Sequence, residues 1–274
     1  MQRGVVLDDR FEIEEFAASG GMGSVFKGQD RLTGSTVAIK TFADNRLFFT
    51  SRFARESSIL AELRHPRIVR FVARGLMPDG RPYLAMEWVS GATLADVLRS
   101  RRLSVPETIR VGRGVAEALG EVHRRGVFHR DLKPGNLVLC GPSLDVKVLD
   151  FGLVGLSGAR PSRGPQGTPR YMSPEQVEQR PVDGRSDIFS LGCVLYECLT
   201  QTAAFQGREI SVVHSKVVAG EPTPIRRMRS DCPDGLSLLI ERMLSKAPDD
   251  RPGPDDVLAE LRAIETGPIE ASTF

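Results

Sequence analysis

The segment HRDLKPGN, residues 129–136, places an acid, a lysine and an amide within a short stretch. Short apolar runs flank it on both sides, so we predict a loop between strands, where catalytic groups tend to lie. Asp131 and Asn136 share this loop, and a second acid, Asp150, lies in the alternating segment VKVLDFG. Carboxylate and amide oxygens suit Mg²⁺, which proteins hold with a carboxylate or two together with substrate phosphates. The three residues therefore predict a metal site for phosphate chemistry.

A glycine-rich stretch, ASGGMGSVFKG, lies between two predicted strands near the start of the chain. Gly20, Gly21 and Gly23 have no Cβ atom, so backbone N–H groups there can close over phosphates. Taken alone, such a stretch is more often a tight hairpin turn without any ligand, and this interpretation comes first until other residues support a phosphate site. The stretch does not open a helix, which argues against a dinucleotide-binding turn and a Walker loop.

Lys40 occupies the predicted strand TVAIKTF, on the face that also carries Ala38 and Phe42. The following segment, SRFARESSILAELR, is predicted to be a helix whose apolar stripe also contains Glu56. An acid on a buried stripe needs a cation, and Lys40 is the predicted partner of Glu56. Such a pair would hold the lysine towards phosphate oxygens, although a purely structural ion pair remains open. Glycines, a paired lysine, two acids and an amide suit phosphoryl transfer, which depends on positioning and charge stabilisation.

The composition excludes several other functions. The chain has 274 residues, of which 41% are hydrophobic and 26% are charged, and its formal net charge is +2. This weak charge bias does not predict binding to nucleic acid or to a membrane surface. No apolar stretch approaches the ~18 residues of a membrane span, and we expect a cytoplasmic protein without a targeting segment. The four cysteines show no metal or disulfide spacing and are expected to be reduced.

The predicted elements divide the chain into two lobes. Residues 1–90 are predicted to form a small β-rich lobe with one helix, and residues 91–274 a larger, mainly helical lobe. In the second part, Ser104 and Glu107 have the spacing of a capping box that begins a helix, and Gly126 is expected to end it. The predicted fold class is α+β.

The motifs of this chain, in their order, resemble those of the protein kinase family. The resemblance covers residues 11–264 and rests on the glycine stretch followed by VAIK, a helix glutamate, HRDLKPGN, DFG, GTPRYMSPE and DDRP. The forms DLKPGN and YMSPEQ are similar to those of the bacterial serine/threonine kinases of eukaryotic type. The resemblance implies the bilobal protein kinase fold and transfer of phosphate from ATP to serine and threonine of proteins, with Mg²⁺, or Mn²⁺ in its place, as the metal ion. It also implies autophosphorylation and a signalling role.

The resemblance assigns roles to individual residues of this sequence. Lys40 would bind the α and β phosphates and Glu56 would orient it. Asp131 would receive the substrate hydroxyl proton, and Lys133 would stabilise the transferring phosphoryl group. The metal ions would be held by Asn136 and Asp150. Thr168 would contact the catalytic aspartate and the substrate hydroxyl. Three further residues are expected to be structural, namely the pair Glu175 and Arg251, and Asp187, which would anchor the catalytic loop.

The same resemblance assigns the nucleotide site. The glycine loop would cover the phosphates, and its residues are Ala18, Ser19, Gly20, Gly21, Met22 and Gly23. The adenine ring would lie among Val25, Ala38 and Val138. Met86 would be the gatekeeper, and the backbones of Glu87 and Val89 would bond to adenine.

The sequence departs from the family pattern in two places. Ala18 stands where the family has its first loop glycine. Gly135 follows Pro134, where some kinases carry an acid that reads a substrate arginine, so a basic substrate preference is not expected. Two rival functions are a catalytically weak pseudokinase scaffold and a small-molecule phosphotransferase. A pseudokinase usually lacks one of the three residues Lys40, Asp131 and Asp150, and this chain has all of them. A small-molecule phosphotransferase would lack the segment GTPRYMSPE, which this chain contains.

Two further expectations concern regulation. Relatives in this branch pair through their small lobes, and the resemblance therefore implies a homodimer through the N-terminal lobes. The segment between Asp150 and Thr168 carries arginines and no acid, and Ser162, with Ser157 second, is the expected site of activating autophosphorylation.

Overall fold

The computed structural model describes residues 2–20, 23–42, 61–151 and 168–266. The chain packs into two compact units, one that ends at Ser90 and one that begins at Gly91. Across these four described ranges, no helix has both the length and the apolar character that a membrane crossing requires. The β-rich first part and the helical second part confirm the predicted α+β class.

The first unit contains a six-stranded antiparallel sheet in the order β1-β2-β3-β4-β6-β5. Its strands are β1 (Val6–Leu7), β2 (Phe11–Gly20), β3 (Gly23–Asp30), β4 (Ser35–Phe42), β5 (Phe71–Leu76) and β6 (Pro82–Glu87). The helix predicted between β4 and β5 lies outside the described residues except at its end, where residues 61 and 62 are helical.

Strand β4 shows the predicted alternation of side chains. Val37 and Ile39 are fully buried in the main hydrophobic cluster of this unit. Successive side chains of a strand point to opposite faces, so Ala38 and Lys40 lie on the other face of the sheet. The cluster that receives Val37 and Ile39 consists mainly of Leu7, Phe11, Ile13, Phe26, Met77, Tyr83 and Ala85. Burial of this apolar face fixes which side of the sheet presents Lys40.

The second unit is mainly helical. Its helices are α1 (Leu94–Ser100), α2 (Val105–His123), α3 (Pro174–Val177), α4 (Gly184–Thr200), α5 (Ile210–Ala219), α6 (Ile225–Met228), α7 (Asp234–Met243) and α8 (Pro254–Thr266). Three single turns of 3₁₀ helix occur at Pro134–Asn136, Pro169–Tyr171 and Pro248–Asp250. A small antiparallel sheet has the order β7-β8-β9, with β7 at Ala92–Thr93, β8 at Leu137–Cys140 and β9 at Asp145–Val148.

Helix α2 begins at the predicted capping box. The Ser104 hydroxyl accepts a hydrogen bond from the Glu107 N–H, and the Glu107 carboxylate accepts one from the Ser104 N–H. Helix α2 packs against α4 and α8, and Gly112 permits the close approach because a Cβ there would lie 2.9 Å from Leu261. Helix α4 is buried along almost its whole length. It is therefore the central element of the second unit.

The pair expected to be structural, Glu175 and Arg251, is buried. Two guanidinium nitrogens of Arg251 donate to the two carboxylate oxygens of Glu175, at 2.7 and 2.9 Å. The Ser186 hydroxyl also donates to this carboxylate. Burial alone would raise the pKa of Glu175, but the hydrogen bonds from Arg251 and Ser186 outweigh it and lower the pKa to about 2. The pair joins the start of α3 to the segment before α8.

We expect Glu175→Gln to lower the free energy of unfolding by about 3–5 kcal/mol at neutral pH, because it leaves a buried guanidinium without its counter-ion. The folded-state pKa of Glu175 is depressed, so its stabilising contribution is complete above the unfolded pKa of about 4.3. It is lost as the pH falls through the folded value of about 2. Urea unfolding of both proteins at several pH values measures the difference, which should shrink below pH ~4.3.

The control for this prediction is Glu178→Gln, which removes a carboxylate that pairs with Arg180 at the surface. Exposed pairs contribute roughly 0–1 kcal/mol, so this variant should unfold almost like the wild type. Equal destabilisation by both variants would contradict the buried pair as the source of the effect.

Candidate active site

The loop of residues 129–136 is anchored by the carboxylate of Asp187, in the first turn of α4. One carboxylate oxygen accepts the N–H of Arg130 at 2.7 Å, and the other accepts the N–H of His129 at 2.8 Å. The His123 Nε2 lies 2.8 Å from the same oxygen as the His129 N–H. Asp187 is completely buried, so these contacts replace its hydration. The side chain was expected to anchor the loop, and the structure places it in that position.

The pKa of Asp187 lies below its ordinary value. Burial by itself would raise the pKa, but the hydrogen bond from His123 opposes it, together with the electrostatic interaction with that ring and the N–H of Arg130. The carboxylate is therefore the form that the folded chain stabilises at neutral pH.

His129 connects the loop to the strand that leads to Asp150. The Asp131 N–H donates to His129 Nδ1 at 3.3 Å, so Nδ1 is unprotonated and Nε2 carries the hydrogen. Nε2 lies 2.8 Å from the carbonyl oxygen of Leu149 and donates to it. The fully buried imidazole thus holds the backbone of Asp131 and the residue before Asp150 at the same time.

The Asp131 carboxylate is surrounded by the other polar groups of its loop. The Lys133 Nζ lies 2.6 Å from Asp131 Oδ2, and the lysine side chain is more exposed than the acid, 28% against 9%. The Asn136 amide nitrogen donates to the Asp131 carbonyl oxygen at 2.8 Å. Thr168 also reaches this acid, through its backbone N–H, which lies 3.4 Å from Asp131 Oδ1. The structure therefore brings Asp131, Lys133, Asn136 and Thr168 together.

Asn136 and Asp150 lie at the same end of the β8–β9 hairpin. Strand pairing places Leu137 opposite Val148, and the Leu149 N–H donates to the Asn136 carbonyl at 2.8 Å. Because the Asn136 amide nitrogen donates to the Asp131 carbonyl, the side-chain oxygen is the atom of Asn136 that can ligate a cation. Asp150 supplies a carboxylate from a left-handed backbone conformation, with φ of 60°. An amide oxygen and a carboxylate fit a hard divalent cation such as Mg²⁺.

In the first unit, the glycine stretch forms the end of the β2–β3 hairpin. Ala18 pairs with Val25, Ser19 with Ser24, and Gly20 with Gly23. Gly23 has φ of 150°, and a Cβ there would lie 1.8 Å from the Thr41 carbonyl oxygen, so only glycine fits. Gly21 and Met22, at the tip, lie outside the described residues. The hairpin is confirmed, whereas its contact with phosphates stays a prediction.

Lys40 is mostly buried on β4, with 8% of its surface exposed. It pairs with Val25 on one neighbouring strand and with Leu84 on the other, and its Nζ lies 5.9 Å from the centre of the Phe42 ring. Glu56, the predicted partner, lies outside the described residues, as do Ser157 and Ser162. The pairing of Lys40 with Glu56 therefore stays a prediction.

Met86 and Glu87, two of the residues assigned to the adenine site, end strand β6. Met86 pairs with Ala38. The Glu87 N–H donates to the Arg70 carbonyl at 2.9 Å, and the Arg70 N–H donates to the Glu87 carboxylate at 3.1 Å. Val89 is half-buried two residues further on. Val138 lies on β8 in the second unit, buried and paired with Lys147 and Thr93.

Sequence reasoning missed two residues that support the loop of residues 129–136, one of them through Asp187. His123 bonds to Asp187, and the Gln176 amide donates to the Arg130 carbonyl at 2.8 Å. The pattern S-x-x-Q at residues 173–176 is a capping-box signature and could have predicted that a helix begins after Ser173. It carries no signal for a contact with Arg130, because the two residues are 46 positions apart.

We expect Asp187→Asn to destabilise the second unit by about 2–4 kcal/mol, since an amide cannot accept from all three donors and leaves buried N–H groups unpaired. The backbone amides of His129 and Arg130 should exchange with deuterium faster, as measured by exchange mass spectrometry. Asp249→Asn, at a 93% exposed side chain, is the matched control and should leave both measurements unchanged. Normal protection of the two amides in Asp187→Asn would count against the anchor.

Comparison with known proteins identifies relatives over nearly the whole chain. The family described as "Protein kinase domain" matches residues 11–261. A probable serine/threonine-protein kinase of Streptomyces coelicolor is 35% identical over 97% of this chain and 42% of its own length. The serine/threonine-protein kinase PknB of Mycolicibacterium smegmatis is 35% identical over 94% of this chain and 42% of its own. The serine/threonine-protein kinase pkn3 of Myxococcus xanthus is 33% identical over 96% of this chain and 51% of its own length. The chain thus spans about two fifths to one half of these relatives.

Proposed function

Because this chain belongs to the protein kinase family, we propose that it transfers the γ-phosphate of ATP to serine and threonine hydroxyls of proteins, including its own. Members of this family use ATP with a divalent metal ion. The observation that carries the proposal is the arrangement of three residues on one loop. The Asp131 carboxylate lies 2.6 Å from the Lys133 Nζ, and the Asp131 carbonyl oxygen lies 2.8 Å from the Asn136 amide nitrogen. The relatives that match along the chain are named serine/threonine-protein kinases, which supports the choice of acceptor.

The acid and its neighbours have complementary roles in this proposal. The Asp131 carboxylate orients the substrate hydroxyl and accepts its proton as the oxygen attacks the γ-phosphorus, while the bond from this phosphorus to the β-phosphate oxygen breaks and ADP leaves. The Lys133 ammonium, in contact with the same carboxylate, balances negative charge on the transferring phosphoryl group. The Thr168 N–H holds the second carboxylate oxygen and so limits rotation of the acid. Positioning and charge together account for most of the catalysis that this reaction needs.

The metal in the proposed site is Mg²⁺ or Mn²⁺, held by the Asn136 amide oxygen and the Asp150 carboxylate. When bound, it supplies positive charge against the phosphates of the nucleotide. The chain's own contribution is to orient these two donors, through the bond from Asn136 to Asp131 and the bond from Leu149 to Asn136.

The nucleotide site in this proposal follows the sequence assignments. Lys40 binds the α and β phosphates and Glu56 orients it, while the hairpin of residues 18–23 covers the phosphates. Val25, Ala38 and Val138 contact adenine, Met86 is the gatekeeper, and the backbones of Glu87 and Val89 bond to adenine. Burial of Lys40 supports this role, because a largely desolvated ammonium interacts more strongly with phosphate than an exposed one.

Several wider features stay predictions. The two compact units correspond in this proposal to the two lobes of the kinase fold. A homodimer through the N-terminal lobes is implied by the family resemblance. A cytoplasmic location and autophosphorylation at Ser162 or Ser157 are expected from the sequence.

We expect Asp131→Asn to lower kcat by about 10²–10⁴-fold, because the amide cannot accept the hydroxyl proton. The KM for ATP should change little, since Asp131 acts on the acceptor hydroxyl. Steady-state transfer of radiolabelled phosphate from ATP measures both quantities. Asp79→Asn, in an exposed turn where Asp79 pairs with Arg81, is the control and should match the wild type. Unchanged transfer by Asp131→Asn would remove this residue from the mechanism.

The choice of acceptor has its own test. Three peptides that differ only in carrying serine, threonine or tyrosine at one position are incubated with the enzyme and ATP, and the rates of labelling are compared. Serine and threonine should be labelled at least ten times faster than tyrosine, a difference of about 1.4 kcal/mol in activation free energy. Preferred labelling of tyrosine would refute the serine/threonine assignment, and labelling of small alcohols alone would refute protein kinase activity.

A further inference from the structure

The peptide group between Arg130 and Asp131 is held at both of its polar ends. Its N–H, which belongs to Asp131, donates to His129 Nδ1 at 3.3 Å. Its carbonyl, which belongs to Arg130, accepts a hydrogen bond from the Gln176 side-chain amide at 2.8 Å. The orientation of this peptide plane sets the direction in which the Asp131 side chain leaves the backbone. Gln176 therefore acts on the residue that carries the proposed chemistry without touching its carboxylate.

The backbone at this point needs such support. Arg130 has φ of 65°, in the left-handed region that residues other than glycine rarely adopt. A residue persists in this conformation when the surrounding structure fixes the groups on either side of it. Asp187 holds the Arg130 N–H at 2.7 Å, and Gln176 holds its carbonyl. The two contacts constrain opposite sides of the same strained residue.

The amide of Gln176 is fixed in one orientation. Its oxygen accepts the Ser173 N–H at 3.0 Å and the Ser173 hydroxyl at 3.3 Å, as the return half of the capping box that begins α3. An exchange of oxygen and nitrogen would set a donor against the Ser173 N–H and an acceptor against the Arg130 carbonyl. Nitrogen towards Arg130 is therefore the arrangement that satisfies both neighbours.

The position of Gln176 is fixed in turn by the preceding residue. Glu175 is bound by the buried Arg251 through two hydrogen bonds. The short helix α3 is thus attached to the rest of the second unit one residue before the side chain that reaches the catalytic loop.

We infer that Gln176 is a positioning residue, which sets the orientation of Asp131 through the Arg130 carbonyl. The role in turnover rests on the proposed phosphotransfer, whereas the effect on the loop does not. Displacement of a catalytic group by about 1 Å can lower the rate about 10²-fold. Loss of the one hydrogen bond from Gln176 to the Arg130 carbonyl is therefore expected to have a measurable effect on the rate.

Gln176→Glu isolates the contact. The introduced carboxylate keeps an oxygen for Ser173, as in the usual capping box, but presents an acceptor instead of a donor to the Arg130 carbonyl. Gln176→Met is a second variant, which removes the donor without adding a charge. Gln179→Glu is the matched control, because Gln179 is exposed and lies three residues further along the chain. It makes the same chemical change away from the loop.

Three measurements on the full chain give the result. In Gln176→Glu, the Asp131 amide should exchange with deuterium about tenfold faster or more, as measured in peptides covering residues 128–137. The value of kcat should fall about 10- to 100-fold while the KM for ATP stays within about twofold. Thermal unfolding should keep its midpoint, because the capping box remains. Gln176→Met should lie between this variant and the wild type, and Gln179→Glu should equal the wild type.

Wild-type exchange and wild-type kcat in Gln176→Glu would overturn the inference, and so would a fall in kcat without faster exchange of the Asp131 amide. A rise in the KM for ATP equal to the fall in kcat would also count against it. If the wild-type chain transfers no phosphate, the proposed function fails, and the exchange measurement still decides whether Gln176 fixes the loop.

Discussion

A single buried carboxylate, that of Asp187, fixes the position of the catalytic loop. It accepts hydrogen bonds from the backbone of His129 and Arg130 and contacts the ring of His123. The ring of His129 in turn forms hydrogen bonds with the backbone of Asp131 and of Leu149. The same side chain therefore positions the acid and the segment that leads to Asp150. Within the second unit, the positions of the proposed active-site residues therefore depend on a side chain of helix α4.

An unpaired carboxylate in this position would be strongly unfavourable, because removal of a charge from water costs several kcal/mol even after relaxation. Three donors offset that cost for Asp187, and Arg251 and Ser186 do the same for Glu175. Both acids lie on or beside α4, most of whose residues are buried. The hydrophobic core thus excludes water from the hydrogen-bond networks of Asp187 and Glu175. These two networks fix the conformation of the segments that they contact.

Local sequence signals predicted the features that depend on near neighbours. The alternation around Lys40 predicted strand β4, and the spacing of Ser104 and Glu107 predicted the start of α2. The left-handed conformations of Arg130 and Asp150 could not be predicted, because neither residue is a glycine and tertiary contacts impose them. The bond from Gln176 to Arg130 has no sequence signal either, since it forms only after α3 has docked. Motif resemblance predicted the members of the site but not these supporting contacts.

The anchor formed by Asp187 has a consequence for how this protein can change during evolution. Two of its three donors are backbone N–H groups, which every residue except proline possesses. Side chains at positions 129 and 130 can therefore be replaced without removing the attachment to α4, provided that position 130 tolerates its left-handed backbone. For the attachment to α4, the constraint on substitutions at position 130 is its left-handed backbone conformation. A substitution of Asp187, in contrast, removes the acceptor for both backbone amides at once.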